Sequence, residues 1–88
     1  MKIKKGFVVK EIAGQNVVIA LGSASKIFNG IIKLNDSARF VWDMLVLGKE
    51  KEEVIAAMSE EYEDVDREVL EKDFDAFVET LKGANILE

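Results

Sequence analysis

The sequence predicts an α+β fold, a three-stranded antiparallel β-sheet followed by three helices, with the parts of a winged helix-turn-helix domain. Three observations carry this. Short β-branched runs fill the front of the chain, the apolar spacing changes to that of a helix from Asp36 onward, and the charge divides at the same place. Residues 1–35 hold six lysines (Lys2, Lys4, Lys5, Lys10, Lys26, Lys33) against Glu11 alone, a net of +5. Residues 36–88 hold sixteen carboxylates against Arg39, Lys49, Lys51, Arg67, Lys72 and Lys82, a net of −10. The plainer reading is two solvated faces of one small domain, and the sharper one is a charge-selective cleft between them. The plainer reading stands first.

Phe7-Val8-Val9-Lys10-Glu11-Ile12 and Val17-Val18-Ile19-Ala20-Leu21 are separated by Ala13-Gly14-Gln15-Asn16, a segment suited to a tight connection, so the two runs predict a β-hairpin. Gly22-Ser23-Ala24-Ser25-Lys26 reads as a small-residue loop. A third strand is expected within Ile27–Leu34, with an irregularity at Asn29-Gly30. Its end, Ile31-Ile32-Lys33-Leu34-Asn35-Asp36, reads as a strand feeding directly into a helix, because Asn35 is a favoured N-cap type behind three residues of high β-propensity.

Ala38, Val41, Trp42 and Leu45 then fall at helical spacing, Phe40, Met44 and Leu47 widen the apolar surface, and Gly48 is placed to end the helix in a left-handed cap. Trp42 reads as a core filler. Val54, Ile55, Met58 and Tyr62 give a second helix from about Lys51, and Leu70, Phe74, Phe77, Val78 and Leu81 a third, after Asp66 and up to Gly83. The apolar tail Ala84-Asn85-Ile86-Leu87 is expected to fold back on the core.

Eighty-eight residues, 49% of them hydrophobic and none of them proline, predict a single domain over residues 1–88. No apolar run approaches a membrane span, so the expectation is a cytoplasmic protein without a membrane partner. Without cysteine there is no thiolate nucleophile. Without histidine the usual zinc ligand and the commonest general base are both missing. Ser23, Ser25, Ser37 and Ser59 have no histidine to activate them, and Glu60-Glu61-Tyr62-Glu63-Asp64 lacks the alternating ligands and central glycine of a calcium loop. The expectation is a non-enzyme with no cofactor and no metal site.

The order and spacing of these pieces resemble the PqqD family, small proteins of pyrroloquinoline quinone biosynthesis whose fold recurs as the RiPP recognition element. The matching residues are Leu34-Asn35 closing the third strand, Phe40 and Trp42, the gap at Gly48-Lys49, Val54-Ile55-Ala56-Ala57-Met58 with Tyr62, Asp73-Phe74-Asp75-Ala76-Phe77-Val78-Glu79-Thr80-Leu81 and Ile86-Leu87. One departure is Gly83-Ala84-Asn85-Ile86-Leu87, since the family more often has a glycine nearer the final apolar pair. The resemblance implies a non-catalytic chaperone that binds the leader segment of a ribosomally made precursor peptide by strand addition. It also implies a partner, a radical S-adenosylmethionine (radical SAM) or other peptide-modifying enzyme. It places one cleft wall on Phe28, Ile31, Ile32, Lys33 and Leu34, and the other on Leu70, Asp73, Phe74 and Phe77.

Two physical restrictions apply to that site. Strand side chains alternate, so Ile31 and Lys33 face away from Ile32 and Leu34, and the latter pair is assigned to the core. Phe74, Phe77 and Leu81 repeat at core spacing, so packing is the better role for most of that stripe. Asp73 beside them is suited to gripping a peptide amine or amide, with a solvated position or an ion pair as the alternative. A nucleic-acid-binding winged helix is the competing function. Its recognition helix would carry Asp66, Glu68, Glu71, Asp73, Asp75 and Glu79 against three bases, which opposes phosphate.

Overall fold

In the computed structural model, which describes residues 1–28 and 30–88, the first two runs pair as an antiparallel hairpin of β1 (Phe7–Ile12) and β2 (Gln15–Ala20). The connection is tighter than the sequence implies. Gln15 already pairs with Ile12, leaving only Ala13 and Gly14 in the turn, both left-handed at φ 52° and 77°. Two successive positive φ values match the right-handed twist of the strands, which is why a two-residue turn is stable here.

β3 (Ile32–Leu34) pairs antiparallel with β2, giving the order β1-β2-β3. It is shorter than the expected strand. The small-residue loop is a 3-10 helix, Gly22–Lys26, and the amides of Ile27 and Phe28 continue its turn by donating to the Ala24 carbonyl at 3.0 and 3.1 Å. Those two residues are thereby withdrawn from the sheet, and the irregularity expected at Asn29 lies outside the described residues.

Helix α1 (Asp36–Val46) starts as its N-cap requires: Asn35 is extended at φ −74°, ψ 178°, and its Oδ1 accepts from the Ala38 amide at 2.9 Å. Gly48, at φ 79°, ends it in the left-handed conformation. Helix α2 (Lys51–Glu61) follows, its first turn supported by the Glu53 carboxylate, which accepts from the Glu50 amide at 3.2 Å. Helix α3 (Arg67–Gly83) lies across α2 and is tied to it by Arg67 to Glu52 at 2.6 Å and Lys51 to Asp75 at 3.0 Å. All four side chains are exposed, so these pairs set orientation more than stability.

The sheet's inner face supplies Phe7, Val18 and Leu34 to the core, with Val9, Ala20 and Ile32 half-buried beside them. The helices supply Val41, Trp42, Leu45, Val54, Ile55, Met58, Leu70, Phe74, Val78 and Leu81. The assignment of Ile32 and Leu34 to the core face thus holds, as does Trp42 as a filler. Leu47 differs: it is 71% exposed, because the apolar face of α1 ends one turn earlier. Asn85, at φ 60°, takes the left-handed position past α3 that a glycine more often fills, and the Ile86 amide donates to the Leu81 carbonyl at 2.9 Å. Ile86 is thereby fully buried, and Leu87 bridges to Ile3.

Candidate functional site

β2 occupies one edge of β3, and the other edge carries no backbone partner among the described residues. Beyond that free edge lies a groove whose far wall is α3. Its first part, about 270 Å³, runs between the start of α1 and the middle of α3 and is lined by Asn35, Ser37, Val41, Asp73, Phe77 and Thr80 among others. Its second part, about 480 Å³, lies toward the end of α3 and is lined by Ile27, Phe28, Ile31, Ile32, Thr80 and Ala84 among others. Thr80 borders both parts. Its hydroxyl donates to the Ala76 carbonyl at 3.1 Å, which leaves the oxygen free to act as an acceptor.

Local chemistry explains each wall. The Asn35 cap turns the chain sharply from β3 into α1, so the strand's end and the helix's first turn form one lip. Arg39 holds that lip to the sheet, donating to Asn16 Oδ1 at 2.9 Å and pairing with Asp43 at 3.0 Å. Phe28 packs toward Phe7 with ring centroids 6.3 Å apart, which fixes the floor of the second part. Ile31, just before β3, is 70% exposed, the most exposed large apolar side chain apart from Leu47.

The expected site residues divide into three groups. Phe28, Ile31 and Ile32 come together in the second part of the groove, and Asp73 and Phe77 in the first. Lys33 points to the opposite, solvent face of the sheet, bordering a shallow cleft of about 340 Å³ with Gly14, Asn16 and Asp36. Leu34, Leu70 and Phe74 are 5%, 2% and 1% exposed and support the walls from behind, as the core spacing of the α3 stripe implies. Thr80, Ala76 and Ala84 were not among the expected residues. They lie with Asp73 and Phe77 on a second stripe of α3 at helical spacing, flanking the buried one. In the sequence that small and polar stripe reads as a solvated helix face, and only the strand edge opposite makes it a groove wall.

The groove is poor in ionisable side chains. Its only ionisable side chain in the first part is Asp73, and among the described residues no group of three metal-ligating side chains occurs. No helix is long and apolar enough to cross a membrane. The shifted groups lie elsewhere. The hydrogen bond to Asp75 raises the Lys51 pKa, bonds to Glu71 and Glu52 raise that of Arg67, and burial raises that of Tyr62.

Comparison with known proteins fits this geometry. The model of the family described as coenzyme PQQ synthesis protein D (PqqD) matches residues 15–87. The chain belongs to the PqqD family. Two solved structures share its fold as a RiPP recognition element. TbiB1 in complex with the TbiA(beta) leader peptide superposes with a TM-score of 0.78 at 30% identity, over 100% of this chain and 95% of that one. A lasso peptide synthetase B1 complexed with its leader peptide gives 0.77 at 23% identity, over 99% and 95%. No curated protein sequence matches significantly. The PqqD match includes β2, β3 and all three helices, and so both walls of the groove.

Proposed function

We propose that this PqqD-family chain binds the leader segment of a ribosomally synthesised precursor peptide as a fourth strand on β3 and presents the peptide to a modifying enzyme. The observation that carries the reading is the free edge of β3 opening onto a groove walled by α3. TbiB1, 30% identical over the whole chain, is a leader-peptide complex, which supports a peptide as the ligand. The chain itself performs no catalysis in this reading and needs no cofactor. The partner is a peptide-modifying enzyme, with a radical SAM enzyme as the class that the PqqD resemblance implies, and the setting is the cytoplasm.

Energetics require the groove as well as the edge. Three strand residues offer roughly two to four backbone hydrogen bonds, each worth about 0.5–1.5 kcal/mol after exchange with water. Micromolar binding needs about 8 kcal/mol beyond the cost of ordering a flexible peptide. Apolar side chains from the peptide, each worth about 1.5–3 kcal/mol when buried, must supply the rest. Phe28, Ile31, Ile32 and Phe77 provide surfaces for them, and Leu34, Leu70 and Phe74 keep those surfaces in place.

The test is a titration of the isotopically labelled chain with the leader of a precursor peptide encoded beside it. Amide shifts should concentrate in residues 28–34 and 66–78. Saturable binding that leaves both segments unmoved would remove strand addition as the mode. The nucleic-acid alternative gains nothing from the fold, since α3 exposes Glu68, Asp73, Asp75 and Glu79 where a recognition helix would meet phosphate.

A further inference from the structure

Two charges of opposite sign without ion-pair partners among the described residues, Asp73 in the groove and Lys33 on the outer face of the sheet, stand beside one apolar pocket, in an order set by the strand. Every charged side chain of α3 except Asp73 takes part in an ion pair: Arg67, Glu68, Glu71, Lys72, Asp75, Glu79 and Lys82 are all engaged. Asp73 faces the first part of the groove, where the remaining lining residues carry no charge. On the other side of the sheet Lys33 is also without an ion-pair partner among the described residues. It stands beside Val17, which is 7% exposed yet lies outside the main core, between its cross-strand partners Lys10 and Lys33. The strand residues of that outer face, Val8, Lys10, Ile12, Gln15, Val17, Ile19 and Lys33, include no carboxylate, and Asp36 at the start of α1 lines the same shallow cleft as Lys33.

A strand added to β3 alternates its side chains between these two environments. The residue opposite Ile32 points inward to the apolar second part, the next points outward beside Lys33, and the one opposite Leu34 points inward toward Asp73, Ser37 and Thr80. We infer that the free edge of β3 selects a three-residue pattern in its peptide, apolar, then acidic, then basic, in the order that runs along β3 from Ile32 to Leu34. Lys33 and Asp73 are its specificity-determining residues. The inference rests on the strand-addition reading and adds a charge code to it, by which the chain would separate its own leader from other extended apolar peptides.

The full-length chain is used to select from a phage-displayed library of random dodecapeptides, and the selected peptides are mapped onto it by amide shifts. Native protein should enrich the apolar-acidic-basic pattern, and synthetic peptides with the two charges exchanged should bind about tenfold more weakly, the sum of cross-strand pairs turned from attractive to repulsive. The double variant Lys33→Glu, Asp73→Lys, altered only at exposed positions, should enrich the exchanged order. Single variants Lys33→Gln and Asp73→Asn should each weaken the preference without reversing it. Selected peptides that shift Ile32–Leu34 but show no charge preference, or the same preference for native and double-variant protein, would overturn the code and leave strand addition standing. A selection yielding no peptide that shifts Ile32–Leu34 would overturn both.

Discussion

Replacing Asn35 by alanine isolates the junction on which the groove depends. In the native chain the Asn35 carboxamide oxygen accepts from the Ala38 amide at 2.9 Å and from the Ser37 hydroxyl at 3.1 Å. Alanine leaves the Ala38 amide to solvent and removes the side-chain lock between β3 and α1. The loss of such a cap costs about 1 kcal/mol, within a range of about 0.5–2. The Ser37 bond adds little, because it is exposed. For a domain of this size about 1 kcal/mol corresponds to a fall in melting temperature of roughly 4–8 °C. Aspartate in the same place keeps the acceptor and adds a favourable charge at the helix N-terminus, so Asn35→Asp should melt at or above the native temperature. Thermal unfolding followed by circular dichroism at neutral pH measures all three proteins. If Asn35→Ala melts with the native protein, or Asn35→Asp melts as low as Asn35→Ala, the cap does not hold this junction and the reasoning fails.

Four further outcomes follow. At Gly6, φ is 94° and an added Cβ would lie 2.8 Å from Ala24 Cβ and 3.0 Å from the Leu21 carbonyl, so Gly6→Ala should cost clearly more in urea unfolding than Gly14→Ala. Gly14, at φ 77° with open space around it, carries only the left-handed penalty of about 1–2 kcal/mol. Burial holds the Tyr62 phenol above its ordinary value of 10.0, so its contribution to stability is complete below that pH and is lost as pH rises through the higher folded value. Tyr62→Phe should therefore lose less stability than the native chain between neutral and strongly alkaline pH, measured as urea midpoints. Ile31→Asp should leave the melting temperature nearly unchanged, since the side chain is 70% exposed, while weakening leader binding by about tenfold in calorimetry. Phe74→Ala should instead cost about 3–5 kcal/mol and bring the domain close to unfolding.

The legible parts of this chain were those with a local physical cause. The Asn35 cap, the Gly48 terminator, the helical stripes and the buried tail all follow from residue type and spacing, and each stands where the sequence puts it. The misread parts depend on contacts between distant residues. Gly22–Lys26 coils into a 3-10 helix because Ala24 is small enough to bury against Gly6, and that coiling takes Ile27 and Phe28 out of β3. Nothing within Ile27–Leu34 signals it. The groove was half legible: of the residues expected there, Phe28, Ile31 and Ile32 line its second part and Asp73 and Phe77 its first, while Thr80 went unnoticed because a threonine on a solvated helix face carries no signal until a strand edge is known to lie opposite.

The brevity of β3 has a kinetic consequence. An edge of three residues is too short to hold an arbitrary extended chain, which protects the domain from aggregating with itself. It also limits residence time. With association near ~10⁶ M⁻¹s⁻¹ and a micromolar dissociation constant, a bound peptide leaves in about one second. If the chain hands its peptide to an enzyme, as proposed above, it works best when release is not the slow step. On the strand-addition reading, the truncation that 3-10 coiling imposes on the third strand would set a tempo for turnover as well as a limit on affinity.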